Sequence, residues 1–399
     1  MNANYMLTLG RQPELSLAEI ESVFGADNLV VAQAGVCLLK LAERPDIGRL
    51  GGSIKLGQVL ASVGSVDELK TALHQHLPAR DTKINVGLSW HGRLSPGEVG
   101  ALGLQLKQAA KATGRKLRLV PNRQSALSAP QVVHNQLLEA GNVEFLAAEV
   151  DKKIVLAKTL AVQNVDDYSK RDFERPARDA RVGMLPPKLA QIMLNLVIGQ
   201  VRSSKSQAPN AKPPSPRILD PFCGTGVVLQ EALLVGLSVY GTDIEPRMIE
   251  ATKTNLNWLD GQYPSLISRL PAPKLNVADA RNYSWQPPID AVVSETYLGP
   301  PLSRLPNPSK LSQLVGESGQ LLDRFLTNIK PQIAAGTPLV LAVPAWFDGP
   351  KLAGRSSVVD QIGALGYTRR RFETVKTDQL IYRRPDQVVG RELLVLRKS

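Results

Sequence analysis

Asp220-Pro-Phe-Cys-Gly-Thr-Gly226 lies between a short apolar run, Ile218-Leu219, and a helical pattern from Gly226 to Val235. An acid at a strand end followed by two glycines describes a tight strand-to-helix turn whose backbone can approach a ligand. The helix start behind it presents unbonded N–H groups to a carboxylate or phosphate. The next strand, Ser238 to Thr242, leads into Asp243 about 20 residues on, placed to accept both hydroxyls of a ribose. A third strand, Leu275 to Val277, runs into Ala278-Asp279-Ala280, whose acid can reach an adenine amino group. The sequence thus offers a carboxylate at three successive strand ends, the edge at which doubly wound sheets bind ligands.

Outward from this stretch, apolar strands and helical patterns alternate. A helix is expected over 246–259, strands over 291–293 and 339–343, and helices over 311–334 and 357–365. Two further strands are expected over 370–376 and 392–396. Such alternation predicts an α/β fold with a parallel, doubly wound sheet. A dinucleotide fingerprint would need a third glycine where Leu229 stands, and no Gly-Lys-Ser/Thr of a nucleoside triphosphatase is present.

Upstream, Pro187 to Val197 reads as a helix with proline in its first turn. Residues 166–181 are charged and loop-like, and 201–216, rich in Ser, Pro and Lys, read as a flexible insertion. The first 78 residues give strand, helix, strand, strand, strand, helix, with Ser16 and Glu19 spaced as a capping box. Residues 79–165 again mix the two kinds of element, with strands near 83–89, 117–120, 143–150 and 154–162, and helices over 100–112 and 128–139. Lys107, Lys111, Arg115, Lys116, Arg118 and Arg123 make this second region basic, as a solvated face or as a contact for an anionic polymer.

The 399 residues, at roughly 150 per domain, imply two or three domains. Lys plus Arg number 48 against 36 Asp plus Glu, a net charge of +12, which points to an anionic partner such as nucleic acid. Two cysteines, Cys37 and Cys223, support neither a disulfide framework nor a four-ligand zinc site, and the four histidines form no metal motif. No signal peptide or membrane-spanning run is visible, so the expectation is a cytoplasmic protein with reduced thiols, no resident metal and no membrane partner.

Asp220-Pro-Phe-Cys-Gly-Thr-Gly226 resembles motif I of class I S-adenosylmethionine-dependent methyltransferases, in the variant found in RNA and DNA amino-methyltransferases. Arg171-Asp-Phe-Glu-Arg-Pro-Ala-Arg178, Gly183-Met-Leu-Pro-Pro-Lys-Leu-Ala190 and Asn195-Leu196 are similar to the segment preceding motif I in THUMP-domain tRNA guanosine N2-methyltransferases. Leu9-Gly-Arg-Gln-Pro-Glu-Leu15 is similar to their N-terminal ferredoxin-like domain. The resemblance implies three regions: a ferredoxin-like domain over 1–78, a THUMP-like RNA-binding domain over 79–165, and a methyltransferase domain over 166–399 with an antiparallel last strand. It implies S-adenosylmethionine as cofactor, tRNA as partner, and methylation of guanosine N2, at position 10 in the best-known members. It places Pro187, Asp220, Phe222, Gly224, Thr225, Gly226, Asp243, Ile244, Asp279 and Ala280 around the cofactor. Lys188 is either a cofactor contact or a surface charge. Some relatives work with a small activator subunit; no feature here predicts or excludes one.

The catalytic loop departs from the family. Its members carry Asp-Pro-Pro-Tyr after the fourth strand; here the stretch is Ser294-Glu-Thr-Tyr297. An exocyclic amine is a poor nucleophile, so a side chain must accept its hydrogens and hold the lone pair toward the methyl. Tyr297 stands where a ring stacks on the base, Ser294 replaces the acid, and Glu295 is one position away with a carboxylate that can replace the lost charge. Two alternatives follow: a non-catalytic tRNA-binding protein whose loop has decayed, and a DNA amino-methyltransferase. Cys223 and Cys37 are expected to pack, not to react. His91 and His134 are expected in core or surface positions more than on RNA. Arg369-Arg-Arg371 with Arg383-Arg384 form either a phosphate track or a charged edge that discourages strand pairing.

Overall fold

In the computed structural model of the chain, the described residues are 3–79, 82–178, 184–204 and 215–399. They form two compact units, Met1–Leu17 with Phe24–Asp167, and Ala18–Val23 with Tyr168–Ser399.

The first unit is built from β1 (Tyr5–Leu9), part of α1 (Pro13–Phe24, of which Ala18–Val23 belong to the second unit), β2 (Leu29–Gln33), β3 (Val36–Leu39), β4 (Ser53–Val63), α2 (Val66–Gln75), β5 (Ile84–His91), α3 (Pro96–Ala112), β6 (Leu117–Leu119), α4 (Ala129–His134), β7 (Val143–Val150) and β8 (Lys153–Val162). Its eight strands form one mixed sheet in the order β2-β3-β1-β4-β8-β7-β5-β6. Ser95 caps α3 in a box with Glu98, and Pro96 opens the helix. Val99, Leu102, Leu106 and Ala110 then recur at helical spacing and bury against Trp90, Phe145 and Leu156 of the sheet. The capping box expected at Ser16 and Glu19 is not formed. Helix α1 begins earlier, at Pro13, so Ser16 lies within it and its hydroxyl donates to the Gln12 and Gly52 carbonyls. Helix α4 is shorter than expected, because turns occupy 135–141.

The second unit contains α5 (Val165–Phe173), α6 (Pro187–Ser204), β9 (Arg217–Asp220), α7 (Val227–Leu234), β10 (Ser238–Asp243), α8 (Pro246–Gln262), α9 (Pro264–Ile267), β11 (Lys274–Val277), β12 (Ala291–Glu295), α10 (Pro308–Ile329), β13 (Pro338–Asp348), β14 (Lys351–Arg355), β15 (Tyr367–Arg369), β16 (Ile381–Tyr382) and β17 (Val389–Lys398). The main sheet runs β11-β10-β9-β12-β13-β17-β15, parallel through β13. Strand β17 is antiparallel to β13 and β15. This is the α/β, doubly wound sheet with an antiparallel last strand that the sequence predicts. Strands β9, β12 and β13 are buried almost end to end, as a parallel sheet covered on both faces requires. Helix α10 places Leu322, Phe325, Leu326 and Ile329 against Leu219, Val292, Leu341 and Leu394 of the central strands.

Four expectations change here. Part of the charged 166–181 segment is helix α5, anchored by Arg171. The helix expected over 357–365 is a short 3-10 turn at Ser357–Asp360 followed by turns. Residues 370–376 form no strand; the ladder ends at Arg369. Helix α6 runs to Ser204, past the expected start of the 201–216 insertion, and 205–214 lie outside the described residues, as do 179–183.

The segment before motif I is fixed by charge. The Arg171 guanidinium donates to both oxygens of Glu231 on α7, at 2.7 and 3.3 Å, and lies 4.6 Å over the Tyr168 ring. Both side chains of the pair are almost fully buried. Removing one partner of such a pair strands a charge in low dielectric. Arg171→Met is therefore expected to lower the unfolding free energy by about 3–5 kcal/mol, measured by chemical denaturation. A loss well under 1 kcal/mol would show that the segment is held some other way.

Candidate active site

The turn after β9 is shaped by its glycines. Gly224 and Gly226 have φ of +51° and +83°, the left-handed region that side chains avoid. A Cβ on Gly226 would also stand 2.8 Å from the Thr252 side chain of α8. Asn255 of α8 bonds the Thr225 carbonyl and both backbone groups of Ala177, tying the turn to the preceding segment.

A cavity of about 340 Å³ opens at the carboxyl ends of β9, β10 and β12. Asp220, Phe222, Gly224, Thr225, Asp243, Ile244, Asp279, Ala280, Glu295 and Tyr297 all line it. The three strand-end acids of the sequence are thus brought to one wall. Pro187, Gly226 and Ser294 are not on the lining. Pro187 opens α6 just beyond Met184 and Leu185, which occupy the wall instead. Gly226 caps α7 behind the turn. Ser294 is fully buried, and its hydroxyl donates to Asp220 Oδ1. Lys188 is not on the lining either; its ammonium lies 5.0 Å over the Tyr168 ring.

The acids differ in state. Asp220 accepts from the Phe222 N–H as well as from Ser294, yet complete burial pushes its carboxyl up to about 7, with the Asp243 and Glu295 charges adding to the rise. Asp243 is raised by burial, against bonds from the Glu245 and Gly224 amides. Glu295 is raised by burial and opposed by Arg391, whose Nε donates to its Oε1. Asp279 goes the other way, because Arg281 grips both its oxygens. The Gly224 N–H is spent on Asp243, so the turn is not a free phosphate cradle. Among the charged lining residues, acids outnumber arginines, with Asp220, Asp243, Glu245, Asp279 and Glu295 against Arg247 and Arg281, and the rest of the wall is mostly apolar, so the cavity suits a ligand with an apolar body and a few cationic or hydrogen-bond-donating groups.

Sequence reading missed Met184, Leu185, Arg247, Arg281 and Arg391. Met184 and Leu185 lie inside the segment that precedes motif I. The signal for Arg391 is a charge opening the otherwise apolar run Leu393-Leu-Val-Leu396.

The remaining residues fall as follows. Burial pushes the Cys223 thiol well up, and the Cys37 thiol to about 12, so both are inert packing groups. His91 is largely buried, its pKa pushed down to about 4 by burial and by the Lys55 charge, while His134 is exposed. Arg369 pairs internally with Glu392, and Arg383 lies over the Phe347 ring.

No protein-family model matches the chain. A protein of Methanothermobacter thermautotrophicus named tRNA (guanine(10)-N2)-dimethyltransferase is 30% identical over 205 residues, 50% of this chain and 50% of that protein. A protein of the same name from Pyrococcus abyssi is 40% identical over 89 residues, 22% of this chain and 21% of that protein. The chain thus spans about half the length of the first relative and about a fifth of the second. Among solved structures, TrmN from Thermus thermophilus superposes with a TM-score of 0.53 at 16% identity, covering 99% of each chain. At that identity the likeness is one of fold alone.

The raised Asp220 has a consequence for stability. Its carboxyl holds a proton up to about pH 7 in the folded chain and releases it near 3.8 when unfolded. Between those values folding takes up a proton, so stability falls as pH rises through that window. The melting temperature of the unliganded protein is expected to drop by a few degrees more across this range than that of Asp220→Asn. Equal slopes in thermal denaturation would place the proton elsewhere.

Proposed function

We propose that the protein is a tRNA methyltransferase that transfers a methyl from S-adenosylmethionine to an exocyclic amine, guanosine N2, acting in the cytoplasm. The observation that carries this reading is the acid-lined cavity at the strand ends. Its arginines are engaged by carboxylates of their own, Arg247 with Glu245 and Arg281 with Asp279. Such a lining fits a ligand bearing an ammonium and a sulfonium and disfavours a dinucleotide pyrophosphate. The partial relatives named tRNA (guanine(10)-N2)-dimethyltransferase support the substrate class.

The residues divide the work by position. Asp220 would receive the ammonium of the cofactor, and Asp243 the ribose hydroxyls. Asp279 would meet the adenine amine beside Ile244 and Ala280. The cofactor supplies an electrophilic methyl when bound. Tyr297, 56% exposed at the mouth, offers a ring face to a base. Glu295 would accept the amine hydrogens and take the proton that methylation releases. Ser294, turned into Asp220, supports the cofactor acid instead of touching the base.

Residues 1–78 and 79–165 would hold the tRNA as ferredoxin-like and THUMP-like regions, with 166–399 as the methyltransferase. Exposed Lys107, Lys111, Lys116 and Arg118 around α3 and β6 support a phosphate contact there. The burial of Ser294 favours one rival, a tRNA-binding protein that has lost transfer.

The deciding experiment is transfer of labelled methyl from S-adenosylmethionine to bulk unmodified tRNA, with the nucleosides resolved by mass spectrometry. N2-methylguanosine is the expected product; binding of both ligands without transfer would select the rival. Asp243→Ala is expected to abolish calorimetric cofactor binding in a folded protein, and retained affinity would reject its assignment. Tyr297→Ala should slow transfer by the equivalent of about 1–3 kcal/mol of lost stacking, with cofactor affinity unchanged.

A further inference from the structure

We infer that Arg391 is the positioning residue of the transfer site, holding Glu295 toward the base while bonding the wall that carries the cofactor. The inference rests on the methyltransferase reading above and adds to it a residue that the motifs do not contain.

The geometry places one guanidinium on two walls of the cavity. Nε of Arg391 donates to Glu295 Oε1 on the catalytic loop. Nη2 donates to the Met184 carbonyl, 3.4 Å away, on the wall before α6. The guanidinium also lies 6.0 Å from the centre of the Tyr382 ring. Both members of the pair are buried, at 6% and 15% side-chain exposure, while Glu295 and Met184 still line the cavity.

The sheet explains the placement. Arg391 is paired with Pro344 in the antiparallel β13–β17 ladder, and Glu295 with Ala342 in the parallel β12–β13 ladder. Side chains alternate along a strand. The next residue, Glu392, turns to another set of partners, Arg355 and Arg369. Arg391 is therefore fixed by backbone pairing at the one position from which it reaches the loop.

Chemistry explains the need. A carboxylate one-sixth exposed or less tends to take up a proton, and a protonated acid is a poor acceptor for an amine. The charged groups facing Glu295 are Arg391 from β17 and Asp220 from β9. Burial opposes ionisation of Glu295 and Arg391 counters part of that rise, while the Glu295 charge in turn raises Asp220. A guanidinium bound through one edge also fixes the direction of the carboxylate.

The test compares wild type, Arg391→Lys, Arg391→Met, Glu295→Gln and the Arg391→Met/Glu295→Gln double variant. The readouts are kcat and KM for tRNA methylation, calorimetric affinity for S-adenosylmethionine, and melting. Arg391→Met is expected to lower kcat about a hundredfold, with tRNA KM and cofactor affinity changed only a few-fold, and Arg391→Lys to recover most of the loss. The double variant should be no slower than Glu295→Gln alone, because Arg391 acts through Glu295. Losses that multiply in the double variant, or a full rate in Arg391→Met, would overturn the inference. Should Arg391→Met fail to fold, the double variant leaves no lone buried charge, and its comparison with Glu295→Gln decides. Wild-type rates in Glu295→Gln would overturn the inference while the methyltransferase reading stands. No transfer by wild type would remove both.

Discussion

Burial of one carboxylate, Asp220, governs the arrangement around it. The strand that carries it ends inside the unit, so the charge cannot reach water. Two donors satisfy Oδ1: the Phe222 amide, which closes the turn, and the Ser294 hydroxyl, which brings in the neighbouring strand. The turn then has to pass through two left-handed residues, and glycine is the residue that does so without strain. Asp243 takes the Gly224 amide and locks the turn onto β10. The cavity is consequently preformed, and its remaining need is a positive charge. Neither Ser294 nor an amide removes that need, since neither carries one, and the upward displacement of the Asp220 pKa expresses it.

The loop that follows β12 is tied to the same acid. A serine at the fourth strand end is short enough to turn inward and bond Asp220. An aspartate there would set a second carboxylate against the first, in a region of low dielectric. With the charge one residue on, at Glu295, the repulsion is lessened but not removed: successive side chains along a strand diverge, yet the Glu295 charge still adds to the rise of Asp220. The relocated acid still needs an opposite charge at close range, and β17 supplies it through Arg391. Ser294, Glu295 and Arg391 thus form one connected set, with Ser294 bonded to Asp220 and Glu295 paired with Arg391.

The legible part of the sequence was local. The alternation of elements, the Asp220 to Gly226 turn and the acids at 243 and 279 each lie within a few residues of the strand that presents them, so pattern alone placed them on one edge. Tyr297 and Glu295 on the lining follow in the same way. The illegible part was long-range. Arg391 meets Glu295 across 96 residues of sequence, through two strand pairings whose register no periodicity reveals. The inward turn of Ser294 depends on the neighbouring strand, not on its own segment. Ser16 imitated a cap because the spacing to Glu19 is right, but Pro13 starts the helix a turn earlier. The stretch after Arg369 carries strand-like composition without a free ladder position to occupy.

Charge also divides the molecule by scale. The chain carries a net charge of +12, while the cavity wall, otherwise mostly apolar, carries the acids Asp220, Asp243, Glu245, Asp279 and Glu295 against the arginines Arg247 and Arg281. A polyanion drawn to the exterior by long-range attraction meets repulsion for its phosphates at the cavity itself. On the proposed reading, the part of a nucleotide that would enter is the part without charge, a base presented singly at the exposed ring of Tyr297. The same carboxylates that exclude the backbone favour a small cation on the inner side. On the reading proposed above, the net positive charge of the chain would draw a polyanion at long range, while the excess of acids in the lining would favour a small cation within, so charge alone would favour a different ligand in each place.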